Sequence, residues 1–117
     1  MSAFLPPAVG SASIVDRVLI YQSTTGETAT ISLDVPHAFN VLGFLLSHHI
    51  TIRFQDSFNG VSCSLRCKSS YYEFVYYINK RSYTKYVGSC SKIEKFTYPR
   101  LRMLACDLVF RRSNVVH

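Results

Sequence analysis

Ile50-Thr-Ile-Arg-Phe-Gln-Asp-Ser-Phe-Asn-Gly-Val-Ser-Cys-Ser-Leu-Arg-Cys-Lys68 is the stretch that decides the architecture. Ile50, Ile52, Phe54 and Phe58 alternate with Thr51, Arg53, Gln55 and Ser57. Val61, Cys63, Leu65 and Cys67 then alternate with Ser62, Ser64, Arg66 and Lys68. A period of two is the pattern of a strand buried on one face. Asn59-Gly60 lies between the runs, the preferred pair for a two-residue type I′ turn because both positions need positive φ. Such a turn sets Phe58 against Val61, Asp56 against Cys63, Phe54 against Leu65 and Ile52 against Cys67. A slip of one residue would turn every apolar side chain to the wrong face. The stretch predicts a β-hairpin.

Outward from it, residues 14–22 and 28–35 read as strands joined by a Gly-containing loop at 23–27. Residues 36–48 read as a helix that is apolar on nearly every side, with Asp34 as its cap and Pro36 in its first turn. Gly43 in its middle implies close packing against a strand. Residues 71–78 form another strand, turning through 79–82 into a short partner at 83–87. Residues 91–98 are ambiguous between strand and helix. Residues 101–112 read as a strand with Leu104, Cys106, Leu108 and Phe110 on one face. These elements predict an α+β or mostly β fold: an antiparallel sheet of about seven strands, as a sandwich or a partly open barrel, with one buried helix. Residues 1–13, small and Pro-rich, read as a flexible tail, and 14–117 as a single compact domain.

Charge is distributed one-sidedly. Residues 1–49 carry one base against three acids, a net of −2, and residues 50–117 carry twelve bases against four acids, a net of +8. Such a field attracts polyanions. The two-residue turn would place Arg53 opposite Arg66 and Thr51 opposite Lys68. A facing pair of like charges is unfavourable unless an anion lies over it. Lys80, Arg81 and Lys85 follow on the next hairpin, interleaved with Tyr76, Tyr77, Tyr83 and Tyr86. Bases that track a backbone beside rings that stack are the pattern of single-strand binding. The candidate anion contacts are therefore Arg53, Arg66, Lys68, Lys80, Arg81 and Lys85, and the candidate stacking or interface rings Tyr71, Tyr77, Tyr83 and Tyr86.

Other chemistries find little support. Cys63 and Cys67 lie four residues apart on one strand, a span of ~13 Å that is too long for two ligands of one tetrahedral zinc. The four cysteines read as reduced thiols. His48-His49 sits where a helix ends, a structural place for an imidazole. Paired carboxylates, a Gly-x-Ser-x-Gly turn and a phosphate-cradling Gly loop are all missing from the sequence. No enzyme, metal or cofactor is expected.

Tyr98-Pro99-Arg100-Leu101 resembles the YPxL late-domain motif of retroviral Gag and other viral budding proteins. That resemblance implies a host partner, the ESCRT-associated adaptor Alix, bound through Tyr98, Pro99 and Leu101. A small virus-type matrix or accessory protein that docks on anionic membrane or a host protein is thus the alternative reading. The leading one is a non-catalytic basic module that engages nucleic acid, RNA in preference to DNA, with self-association as a further use of the tyrosines. The N-terminal residues lack a signal-peptide pattern, and the longest apolar run, residues 38–46, is far short of the ~20 residues of a spanning helix. The expected location is cytoplasmic or nuclear.

Overall fold

The structure is a computed structural model that describes residues 9–113, the side chains of Glu94 and Ser113 excepted. Its strands are β1 (Val9–Val15), β2 (Val18–Ser23), β3 (Thr28–Ser32), β4 (Ile52–Asp56), β5 (Val61–Lys68), β6 (Tyr71–Ile78) and β7 (Arg81–Ser89). Helix α1 (His37–Ser47) joins β3 to β4, and a 3₁₀ segment (Cys90–Lys95) leads from β7 into helix α2 (Tyr98–Ser113). All seven strands lie in one sheet, ordered β3-β2-β1-β4-β5-β6-β7. Every neighbouring pair is antiparallel except β1 and β4, which α1 brings together in parallel. The sheet is single and open, with β3 and β7 at its edges, so it is neither a sandwich nor a barrel.

Register assigns the faces. Ile14 pairs with Leu19 and Phe54, Phe54 with Cys63, and Ile52 with Leu65, which pairs with Phe74. All of these are buried on one side of the sheet, beneath the buried stripes of α1 and α2. Phe54 is the pivot, edge-on to Phe74 with centroids 5.2 Å apart and stacked under Tyr98 of α2 at 6.0 Å. Gly43 of α1 permits a close approach, chiefly to the 3₁₀ segment rather than to a strand. A Cβ there would meet Ile93 of the 3₁₀ segment at 3.2 Å. His48 caps α1 with Nδ1 2.9 Å from the Phe44 carbonyl, and His49 follows at φ 63.

Several expectations need correction. Residues 101–112 are helix. Leu101, Leu104, Ala105, Leu108 and Val109 recur at i, i+3, i+4, i+7 and i+8 and are all buried, whereas Phe110, on the supposed strand face, is exposed. Residues 14–22 are two strands, broken at Asp16-Arg17, which take φ 47 and 76. Positive φ is unusual for these residues, and Asp16 is fastened there, accepting from the Ser57 N–H at 2.8 Å and from its hydroxyl at 2.5 Å. Residues 9–13, assigned to the tail, belong to β1 near the middle of the sheet. The rest of that tail, residues 1–8, lies outside the described residues. Asp34 does not cap α1, since its carboxylate turns to Arg17 at 3.2 Å.

The central hairpin turns through four residues, 57–60, rather than two. Asp56 pairs with Val61, Phe54 with Cys63 and Arg53 with Ser64. The reason is Asp56. Its carboxylate accepts from the Phe58 N–H at 3.2 Å, from the Asn59 amide at 2.8 Å and from Arg102 of α2 at 2.8 Å. This side-chain-closed loop leaves only Gly60, at φ 65, with positive φ, and it outcompetes the type I′ turn. Burial alone pushes the Asp56 carboxyl up, but the bonds from Asn59 and Arg102 outweigh it and hold the group below the usual carboxylate range. Phe58 falls out of the ladder and is 86% exposed. The register differs by two residues from that of the shorter turn, so Phe54 and Leu65 still share a face while the pairs along both strands change.

Candidate nucleic-acid interface

Both helices lie on one side of the sheet, so the other side carries the functional candidates. Arg53 stands near its centre, between Ser13 of β1 and Ser64 of β5. A shallow groove of about 660 Å³ runs beside it, lined among others by Ser11, Ser13, Thr51, Gln55 and Ser64. A smaller hollow of about 350 Å³ on its other flank reaches Ser62, Val75 and Tyr77. Lys68 is exposed on the same face, paired in register with Tyr71. Neither Arg53 nor Lys68 takes part in an ion pair among the described residues.

Arg66 is on this face as well, but it does not share an anion with Arg53. Its partner in register is Glu73 of β6, whose Oε2 accepts from both Nε and a terminal nitrogen of Arg66 at 2.7 Å. Glu73 is only 3% exposed, so the pair holds a carboxylate under its own guanidinium. Glu73, the one acid on an otherwise aromatic and apolar strand, is the signal that the hypothetical facing arginines obscured.

The remaining candidates divide. Lys85 points to the helix side, where it meets Asp107 of α2 at 2.8 Å. Asp107 is also reached by Arg111 at 3.3 Å, and the bond from Lys85 above all holds its carboxyl below the usual range. Lys80, at φ 63, and Arg81 are exposed at the tip of the β6–β7 hairpin, the far end from Lys68 and ~20–25 Å along the strands. Tyr77 and Tyr86 lie on the open face, 68% and 60% exposed, and Tyr71 leans on Tyr86 with ring centroids 5.5 Å apart. Tyr83 faces the helices, with the Arg112 guanidinium 4.3 Å from its ring centre. Of the adaptor-type motif, Pro99 is exposed, but Tyr98 and Leu101 are 4% and 1% exposed within α2. Burial raises the Tyr98 hydroxyl's pKa first of all, with the Asp56 charge adding to it. The motif's two anchoring side chains are core residues in this fold.

A basic cluster that sequence periodicity overlooks completes the surface. Lys92, Lys95 and Arg100 are exposed and line a hollow of about 260 Å³ together with Tyr86, Gly88 and Phe96. No acidic side chain is among its lining residues as far as these are described. Two local features build it. A β-bulge pairs Tyr72 with Gly88 but Glu73 with Tyr86, so Val87 is the extra residue and Tyr86 turns to the open face. Gly88 then lets Phe96 lie directly on the edge strand, where a Cβ would stand only 2.9 Å from its ring. The hollow therefore wraps round the edge at β7. Lys68, Tyr71, Tyr86 and then Lys92, Lys95 and Arg100 form one strip, each step made by a register pair, a ring contact or a shared hollow. The sequence signal was the spacing of Lys92, Lys95 and Arg100 around Phe96, in the segment ambiguous between strand and helix.

At the opposite end of the helix side, a cleft of about 390 Å³ is lined by Asp16, Arg17, Asp56, Phe58, Tyr98 and Arg102 among others. Asp56 pairs there with Arg102, Arg17 reaches out to Asp34, and the Asp16 carboxylate is held by Ser57. Among the described residues no helix is long and apolar enough to cross a membrane. Comparison with protein-family models, curated proteins and solved structures finds no match, so the functional argument rests on this geometry.

Proposed function

We propose that the chain is a non-catalytic module that binds single-stranded nucleic acid, RNA in preference to DNA, along the strip from Lys68 to Arg100 and onto the open sheet face. One observation carries the reading. Lys68, Lys92, Lys95 and Arg100 take part in no ion pair among the described residues, and they flank the adjacent rings of Tyr71 and Tyr86. Unpaired cations neutralise phosphates, and exposed rings stack unpaired bases. The open face beyond, with Ser11, Ser13, Gln55 and Ser64 around Arg53, supplies neutral donors and acceptors suited to ribose 2′-hydroxyls. An anionic membrane surface would use the same charge but gains nothing specific from paired tyrosines.

Titration of labelled single-stranded RNA, single-stranded DNA, duplex RNA and anionic vesicles tests this. Single-stranded RNA is expected to bind tightest. With Arg53 and the four strip cations each releasing a counterion, log K should fall against log salt with a slope of about −3.5, or ~100-fold from 50 to 200 mM. A flat salt response, or vesicles bound as tightly as RNA and equally well by Tyr86→Ala, would remove the reading.

A further inference from the structure

Two cysteines stand close together beside the basic strip. The Sγ atoms of Cys67 and Cys90 are 3.5 Å apart. Cys67 lies between Arg66 and Lys68 near the end of β5, and Cys90 opens the 3₁₀ segment that carries Lys92 and Lys95. The Cys90 backbone is tied to the turn that follows β5, since its N–H donates to the Ser70 carbonyl at 3.0 Å. The Tyr72 hydroxyl is hydrogen-bonded to Cys90 from β6, and the Cys67 thiol reaches toward the Ser69 carbonyl at 3.7 Å. Both cysteines are half-buried, close enough to the surface for a small oxidant. A disulfide bond of about 2.05 Å leaves only ~1.5 Å to close.

We propose that Cys67 and Cys90 form a reversible disulfide switch that fixes the 3₁₀ segment to the end of β5 and so tightens the nucleic-acid strip, an inference that rests on the nucleic-acid reading for its consequence but not for its chemistry. The oxidant is a small-molecule disulfide. One cysteine, as thiolate, attacks a sulfur of the oxidant, and the oxidant's other half leaves as a thiolate. The second cysteine gives its proton to water and attacks the mixed disulfide. The Cys67–Cys90 bond forms, and the remaining half of the oxidant is released. Two protein thiols lose two electrons, and one disulfide is reduced to two thiols. Burial raises the Cys67 thiol's pKa first, and the hydrogen bond and charge of Cys90 raise it further, so at rest Cys67 holds its proton. Closing it joins Lys68 to Lys92 and Lys95 in one rigid frame, and preorganised contacts dissociate more slowly. Cys63 is buried on β5, with its thiol pushed up to about 12 first by burial and then by Cys106, and serves as an internal control.

The test treats the reduced protein with oxidised glutathione, traps free thiols by alkylation and measures intact mass and cross-linked peptides. The expected product has lost two hydrogens, links Cys67 to Cys90, returns to thiols with dithiothreitol and melts about 10 °C higher. Cys67→Ser and Cys90→Ser should each stop at one glutathione on the surviving partner. Wild type that carries glutathione on both positions without a cross-link would overturn the switch. RNA dissociation from the oxidised form is expected to be ~3–10-fold slower. An unchanged dissociation rate from a fully cross-linked protein would overturn the control of the strip. A protein that cross-links and gains thermal stability but binds RNA in neither state would uphold the chemistry and sink the nucleic-acid reading instead.

Discussion

Exchanging Lys92, Lys95 and Arg100 together for Glu is expected to weaken single-stranded RNA binding by ~100-fold or more while leaving the fold intact. All three side chains are exposed, and none is in an ion pair among the described residues. Their removal therefore breaks no ion pair among the described residues. Reversal does more than delete contacts, because like charges set against phosphates cost several kcal/mol, and ~2.7 kcal/mol is already a hundredfold. At position 100, in the first turn of α2, an acidic residue is also favourable toward the helix dipole. The matched control is Lys80→Glu with Arg81→Glu. These change the net charge by two thirds as much at the far hairpin tip, so less than ~3-fold loss is expected if the strip, rather than overall charge, holds the ligand. Equal losses from the two variants would show that binding follows charge alone.

The second large effect concerns the fold. Phe54→Ala is expected to lower stability by ~4 kcal/mol, read as a drop in the urea midpoint at unchanged slope. Phe54 has no exposed surface and touches both Phe74 and Tyr98, so truncation opens a cavity at the joint between sheet and α2. For a domain whose whole stability is typically 5–15 kcal/mol, that is close to the margin. A loss under ~1 kcal/mol would mean that α2 does not close over β4.

What could be read from the sequence follows where a single period dominates. The alternation of 61–68, and the aromatic run of 71–78 ending at Asn79, which takes φ 54, specify β5 and β6 without help from distant residues. The apolar run before Ser47 likewise specifies α1. The failures came where two signals compete. In 101–112, Leu104 and Leu108 serve the period of two and the period of 3.6 equally. Leu101, Ala105 and Val109 decide for the helix. The turn after Asp56 rests on its bonds from Phe58 and Asn59 and on Arg102, forty-six residues onward, the last of which no local rule can see. The longer turn also moved Arg66 away from Arg53, and Arg66 pairs with Glu73. Of the candidate surface, Lys68, Tyr71 and Tyr86 were legible from basic–aromatic interleaving. Lys92, Lys95 and Arg100 join them only because a bulge at Val87 and the missing Cβ of Gly88 fold the next segment back over the edge strand.

The most direct measurement of the central claim is photo-crosslinking of 4-thiouridine-substituted single-stranded RNA to the protein, with the linked peptides located by mass spectrometry. Adducts are expected on Tyr71 and Tyr86 and within residues 92–100, with weaker labelling on Tyr77 of the open face. Adducts concentrated instead on the exposed side of α2, at Met103 and Phe110, or on Phe58 at the opposite end, would contradict it.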